Sequence, residues 1–285
     1  MSTPIIARTS ILASLNASQW AGRKFDKTVT EDLNRSKGAD DDASRVNKLL
    51  VSKAILKPIQ QHITQVRSEF YRRTLPWGDD AARIMPLAAY DDFSSYMIQA
   101  QAKLEQLVDE FVEDYRSDVK AAARRMGGMF DINDYPKPSE MPGKFALSWS
   151  VRPIATEEDF RVNLTEGLRE QLEQHVRHNI EQQTTTAMRH VWTHVGGMLE
   201  EIRDRLGDPD ARFKRNLLDN FVELVHSLDD MNVAEDENLT KLRRELQQHL
   251  SALQDPDALR KDTATRKATS ENLAEVADRF SDLWA

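Results

Sequence analysis

The 285-residue chain has no cysteine, only 10 glycines and 10 prolines, and 7% aromatic residues. Without thiols there is no disulfide scaffold, no thiolate metal site and no cysteine nucleophile. No uncharged apolar run approaches the ~18 residues of a membrane-spanning helix, so no membrane partner is expected. Met1 to Leu15 shows no basic region followed by a sustained apolar stretch, and no secretory leader is expected. These absences point to a reducing compartment. The length suffices for one large domain or two modest ones.

Charge is plentiful, at 30% of residues, with a formal net of −8. That sign argues against constitutive binding of nucleic acid, but the average hides a gradient. Residues 1–75 carry 13 Lys+Arg against 7 Asp+Glu, whereas residues 76–142 carry 7 against 13. A basic first quarter is either a partner-binding surface or one that pairs internally with the acidic remainder.

Periodicity supplies the elements. Thr9 to Ser18 reads as an extended strand closing at Gly22, and Lys24 to Lys37 as a polar helix. Apolar residues recur at helical spacing from Ala43 to Arg73, with Pro58 expected to kink or divide that helix. Leu75-Pro76-Trp77-Gly78-Asp79-Asp80 breaks it, and Asp79 or Asp80 is expected to cap a short helix ending before Met85-Pro86. A second long helix is expected from Pro86 to Met126, stopped by Gly127-Gly128 in a left-handed cap. Lys144 to Ala155 alternates Phe145, Leu147, Trp149 and Val151 with smaller or polar residues, a strand pattern. A lone strand is unstable, so it should pair with the N-terminal one.

From Leu164 to Leu206 a single apolar stripe implies ~60 Å of helix at ~1.5 Å per residue, with a polar middle at Gln182 to Thr186. Gly207-Asp208-Pro209 ends it. Two helices follow, near 210–229 and 234–253, and a last one runs to Trp284. The expected fold is therefore mainly α: an elongated bundle of long helices with a small two-stranded antiparallel β element. The expected division is a core over 1–206 and a C-terminal helical extension over 207–285.

Chemistry is harder to find. His175/His178 and His190/His194 each place two imidazoles on one helical face. The sequence His190-Val191-Trp192-Thr193-His194 lacks the Glu that serves as general base in zinc-protease helices, and His175 and His190 would stand ~22 Å apart on a straight helix. Helix-packing histidines are the better reading; no metal, cofactor or catalytic residue is assigned. Paired acids such as Asp79-Asp80, Asp91-Asp92 and Asp229-Asp230 fit solvated faces and caps. Gly127-Gly128 and Gly196-Gly197 lack the context of a phosphate loop. Arg72-Arg73, Arg124-Arg125 and Arg243-Arg244 are short basic pairs flanked by acids, leaving residues 1–75 as the one candidate nucleic-acid surface. The stretch around Trp77 has two readings: an indole plugging a helix junction, or a hot spot for a partner. Leu75, Pro76, Trp77, Asp79, Asp80 and Arg83 are the candidate interaction residues.

Four short motifs occur in fixed order. They are Ser14-Leu15-Asn16-Ala17-Ser18-Gln19-Trp20-Ala21-Gly22-Arg23-Lys24; Thr74-Leu75-Pro76-Trp77-Gly78-Asp79-Asp80 with Arg83-Ile84-Met85-Pro86; Gly127-Gly128-Met129-Phe130 leading to Asp134-Tyr135-Pro136; and Asp159-Phe160-Arg161-Val162. Together they resemble a phage and prophage family, domain-of-unknown-function family 3150, over about residues 10–200. The resemblance implies a tailed-phage origin, a location in the host cytoplasm or virion, and an AAA+ ATPase as a neighbour and partner; it transfers no catalytic residues. The expected function is a non-enzymatic structural or adaptor protein that self-associates or binds a partner through its long helices. The alternative is a nucleic-acid-binding accessory protein using residues 1–75.

Overall fold

The computed structural model describes residues 4–78, 82–156, 165–208, 211, 215–253, 259–260 and 262–284. The fold is mainly α. In chain order the elements are α1 (Ile5–Thr9), β1 (Ser10–Ser18), β2 (Arg23–Phe25), α2 (Lys27–Lys37), β3 (Asn47–Leu49), α3 (Lys53–Arg72), β4 (Leu75–Pro76), β5 (Arg83–Pro86), α4 (Tyr90–Met126), β6 (Ala146–Arg152), α5 (Glu166–Gly207), α6 (Arg215–Met231), α7 (Glu237–Leu253) and α8 (Thr263–Phe280). The chain forms two compact units. One comprises Leu15–Phe70 and Phe93–Ser150; the other comprises Met1–Ser14, Tyr71–Asp92 and Val151–Ala285. The boundary expected at 206/207 falls inside the second unit, where α5, α6, α7 and α8 pack together.

In the first unit α3 and α4 run side by side in opposite directions. Phe70 meets Phe93 at 6.1 Å between ring centroids, His62 Nε2 lies 2.7 Å from the Ala100 carbonyl, and the Ser52 N–H donates to Asp118 at 2.8 Å. The buried stripe of α3 is Leu56, Ile59, Ile63, Val66 and Phe70, the period expected of one helical face. That of α4 runs from Phe93 through Met97, Leu104, Val108 and Phe111 to Tyr115. Gly127, with φ +53°, ends α4 as expected.

The helix expected from Ala43 starts only at Lys53. The intervening residues are tied to α2 by side chains that compete with helical hydrogen bonds. Asn34 Nδ2 donates to the Asp41 carbonyl at 2.9 Å, Ser44 Oγ donates to Asn34 Oδ1, and the Val46 N–H donates to Thr30 Oγ1 at 3.0 Å. The residues that follow then pair as β3 with β2, Arg23 opposite Leu49 and Phe25 opposite Asn47. Asp26 caps α2 by accepting from the Val29 N–H at 3.0 Å.

The sheet is larger than the two strands expected. Its order is β4-β5-β1-β6, so the N-terminal and central strands are neighbours, but β1 is also paired antiparallel with β5 and β5 with β4. Ile11 lies opposite Met85 and Leu12 opposite Ile84. Residues 83–86 therefore form a strand where a short helix was expected. Four residues are too few to show a period, and only the buried Ile84 and Met85 against β1 decide the matter. Pro76 is tolerated because β4 is an edge.

The second unit has a continuous core drawn from α5, α6, α7 and α8 with Leu12, Leu75 and Ile84 of the sheet and Trp77 just after β4. α5 stays helical through its polar middle: the Thr184, Thr185 and Thr186 hydroxyls donate to the carbonyls of Ile180, Glu181 and Gln182. At its end α8 closes over it, with Ser270 Oγ donating to the Arg203 carbonyl at 2.8 Å. No described helix is long and apolar enough to cross a membrane.

Candidate functional site

The structure gathers Leu75, Pro76, Trp77 and Arg83 on the β4–β5 hairpin of the second unit. Asp79 and Asp80 lie outside the described residues. The Trp77 indole is 8% exposed and belongs to the core, with Leu75 at 4%. Trp77 is therefore buried rather than presented to solvent, in a core shared with α5. Arg83 braces the hairpin: its Nε donates to Thr74 Oγ1 at 2.7 Å, an Nη donates to the Thr74 carbonyl at 2.6 Å, and the guanidinium stacks over Tyr71 at 4.8 Å. Burial lowers its pKa from the ordinary arginine value, opposed by Tyr71. Beside this hairpin lies a groove of about 360 Å³ lined by Leu12, Trp77, Ile154, Val176, Asn179 and Gln183, among others. Gln183 accepts from the Gly78 N–H at 2.7 Å, which gives the polar middle of α5 its use.

The resemblance motifs of the first unit meet around α4. Trp20 packs edge-on against Phe111 and Tyr115 at 6.3 and 6.1 Å. Phe130 and Tyr135 pack at 5.3 Å, and the Tyr135 hydroxyl donates to the Leu50 carbonyl at 2.9 Å. The Tyr115 hydroxyl donates to the Pro136 carbonyl, and burial pushes its pKa up to about 12. Asp134 bridges Lys24 and Lys48, both at 2.5 Å, and Lys48 also reaches Asp26 at 3.4 Å. The Asp159-Phe160-Arg161-Val162 motif lies outside the described residues. The described motif residues thus serve packing and a buried charge bridge.

That bridge carries a pH signature. Burial raises the Asp134 pKa, but the hydrogen bonds from Lys24 and Lys48 outweigh it and hold the carboxyl below its ordinary range. The hydrogen bond to Asp134 raises Lys48, against the opposing effect of burial. A carboxyl depressed on folding contributes stability above its unfolded pKa and loses it as the pH falls through the folded value. The raised lysine contributes below the ordinary lysine pKa and loses it at higher pH. Asp134→Asn is expected to cost about 1–2 kcal/mol at pH 7, since Lys48 stays buried without its main partner while Lys24 can return to water. Urea unfolding at pH 7 and pH 3 should show the wild type losing part of this advantage in acid. A gap that does not narrow there contradicts the bridge.

The histidines separate as well. His175 and His178 are exposed on α5. His190 and His194 stack with rings 6.4 Å apart and 9° between planes, beside Thr193, Gly197, Met198 and Glu201. Burial lowers the pKa of both, and Arg83 and His194 lower His190 further. Among the described residues no group of three or more His, Cys, Asp or Glu is placed to hold a metal ion.

One feature of α5 escaped the sequence. From 180 onward the helix has ten buried residues, but none of residues 165–179 is buried. Leu168 is 45% exposed, with Leu172 and Val176 half-buried on the same face. The apolar stripe from Leu168 to Ile180 is continuous in sequence, so nothing in it marks where packing ends. Comparison with known proteins finds no matching family model, no matching curated protein and no matching solved structure.

Proposed function

We propose that the chain is a non-enzymatic adaptor that associates through the first four turns of α5. The observation that carries this reading is the stripe Leu168, Leu172, Val176, spaced i, i+4, i+8 ahead of the first buried residue of α5, Ile180: Leu168 is exposed, Leu172 is half-buried, and Val176, also half-buried, rests against the core where the stripe meets it. An isolated helix of that length is marginal in water, so a partner helix covering the stripe stabilises it as well as itself. A second copy is the simplest partner, by antiparallel pairing of the two segments through Leu168 and Leu172. Covering three such side chains on each copy is worth roughly 1.5 kcal/mol apiece, against an association cost of at least about 4 kcal/mol. The balance, about 5 kcal/mol, corresponds to a Kd of hundreds of micromolar, an affinity suited to an adaptor that assembles when concentrated. The phage-family resemblance suggests the host cytoplasm or virion as the setting, and an AAA+ ATPase as the heterologous partner.

Sedimentation velocity from 5 to 500 μM tests the reading. The wild type is expected to shift toward dimer across that range. Leu168→Glu/Leu172→Glu should stay monomeric with unchanged far-UV circular dichroism, because neither side chain is in the core. A wild type that remains monomeric at 500 μM, or a dimer untouched by the double change, sinks the self-association.

A further inference from the structure

A second surface goes beyond the adaptor reading and is independent of it. In the first unit, Arg23 of β2 and Lys53, Lys57 and Gln60 of α3 line one groove of about 340 Å³, floored by Gly22, Leu49, Val51 and Leu56. The polar lining is three cations and one amide, with no carboxylate. All four side chains are exposed, and none of the three cations is ion-paired with a described carboxylate. This contrasts with their neighbours: Lys24 and Lys48 are consumed by Asp134, Lys27 by Glu31, and Arg45 stacks over Phe25. Part of the excess positive charge of residues 1–75 is thus gathered in this groove.

The geometry is built rather than incidental. Gly22 has φ +62°, and a Cβ there would stand 2.6 Å from Leu56 Cδ1 and 2.8 Å from Val51 Cγ2. Only glycine both adopts that turn and lets β2 press onto the start of α3. The Leu50 N–H donates to the Gly22 carbonyl at 2.8 Å and fixes the approach. Lys53, Lys57 and Gln60 fall at i, i+4 and i+7 on the α3 face that Arg23 opposes. Arg125 holds the strand edge in place, its guanidinium donating to the Leu49 and Leu50 carbonyls. Lys53 opens the helix, where the dipole adds to the attraction for anions.

We propose that this groove binds a phosphate group, held by Arg23, Lys53 and Lys57 with Gln60 as a neutral donor. Its volume is at the small end of ligand sites. Its lining has no aromatic ring on which a base could stack, so recognition falls on phosphate rather than base. The phosphate comes either from a nucleic-acid backbone or from a free nucleotide or inorganic phosphate.

Fluorescence anisotropy with a labelled 20-nucleotide oligothymidylate at 50 and 200 mM salt, with ATP and inorganic phosphate as competitors, tests this on the full chain. One neutralised phosphate gives a salt slope of about −0.7 and roughly a 2.5-fold loss of affinity across that range. Lys53→Gln/Lys57→Gln is expected to weaken binding at least tenfold at 50 mM salt and flatten the slope. Lys37→Gln/Lys103→Gln, with the same loss of charge outside the groove, should bind like the wild type. Binding of the oligonucleotide that low-millimolar ATP does not displace identifies the backbone as source; direct binding or displacement by ATP or phosphate identifies the free anion. Absence of binding by all three probes at 50 mM salt overturns the proposal, as does equal weakening in the control variant.

Discussion

Replacing Arg266 with methionine is expected to destabilise the protein by roughly 3 kcal/mol or more, the largest effect of any single substitution considered. Arg266 is 9% exposed on α8, and its guanidinium closes the end of α5. Its Nε donates to the Leu206 carbonyl at 3.0 Å; one Nη donates to the backbone carbonyls of Arg205 at 2.6 Å, Ala211 at 3.0 Å and Asp208. The last carbonyls of a helix have no partner within it and carry the negative end of its dipole. A buried cation with a planar fork of donors satisfies several at once. A charged hydrogen bond is worth about 1.5–3 kcal/mol, and partial access of water to the exposed Gly207 and Asp208 keeps the loss below the sum. Methionine preserves the volume and removes every donor. Arg266→Lys should recover less than half of the loss, because an ammonium cannot span carbonyls that a guanidinium fork spans. Urea unfolding gives the magnitude, and hydrogen exchange of α8 peptides shows whether the change is local. A cost under ~1 kcal/mol for the methionine variant would mean that the cap contributes little.

The second large effect is a contrast between adjacent glycines. A Cβ on Gly196 would lie 2.4 Å from the Trp284 ring, whereas one on Gly197 meets nothing within 4 Å. Trp284 lies flat in the space that Gly196 leaves, stacked at 6.3 Å on Trp192 with its Nε1 donating to Glu200 at 3.3 Å. Trp192 in turn stacks on Phe280 and donates to Asp236 at 3.0 Å. An indole is rigid and cannot yield 1 Å by changing rotamer, so Gly196→Ala should expel Trp284 and cost about 2–3 kcal/mol. Gly197→Ala should be neutral or stabilise by about 0.5–1 kcal/mol, since alanine is the better helix former. Thermal melts followed by tryptophan fluorescence distinguish the two, and the Gly196 variant should also red-shift the emission in the folded state. Equal Tm changes for both variants would show that Trp284 does not occupy that space.

The legibility of this chain follows the length of its patterns. α4 and α5 were visible because their apolar stripes repeat over many turns, and β6 because Leu147 and its neighbours alternate over seven residues. β2, β3, β4 and β5 have two to four residues each and carry no period to read. The helix drawn from Ala43 failed for a different reason. Its apolar residues do continue the α3 spacing, but Thr30 and Asn34 on α2 capture the backbone of residues 41–46 from outside the segment.

Candidate sites behaved in the same way. Trp77 was marked by its rigid flanks, which proved to be the turn of a hairpin whose indole points into the core. The groove of Arg23, Lys53 and Lys57 was present in sequence only as a charge excess, because its parts are separated by 30 residues and joined by the Gly22 turn. Arg266 and the Gly196–Trp284 contact left no local signal, since each depends on a partner 55 or more residues away.

By itself the sequence determined the helical class, the positions of α4 and α5, the pairing of the N-terminal segment with the central strand, and the absence of thiol chemistry. Local periodicity and composition are enough for these, because every residue of a long amphipathic helix repeats the same instruction. Which cations are neutralised, which stretch of α5 is left uncovered, and which side chains cap or plug were decided only in the tertiary structure. Those outcomes depend on single contacts between residues far apart in the chain, and a single contact has no period.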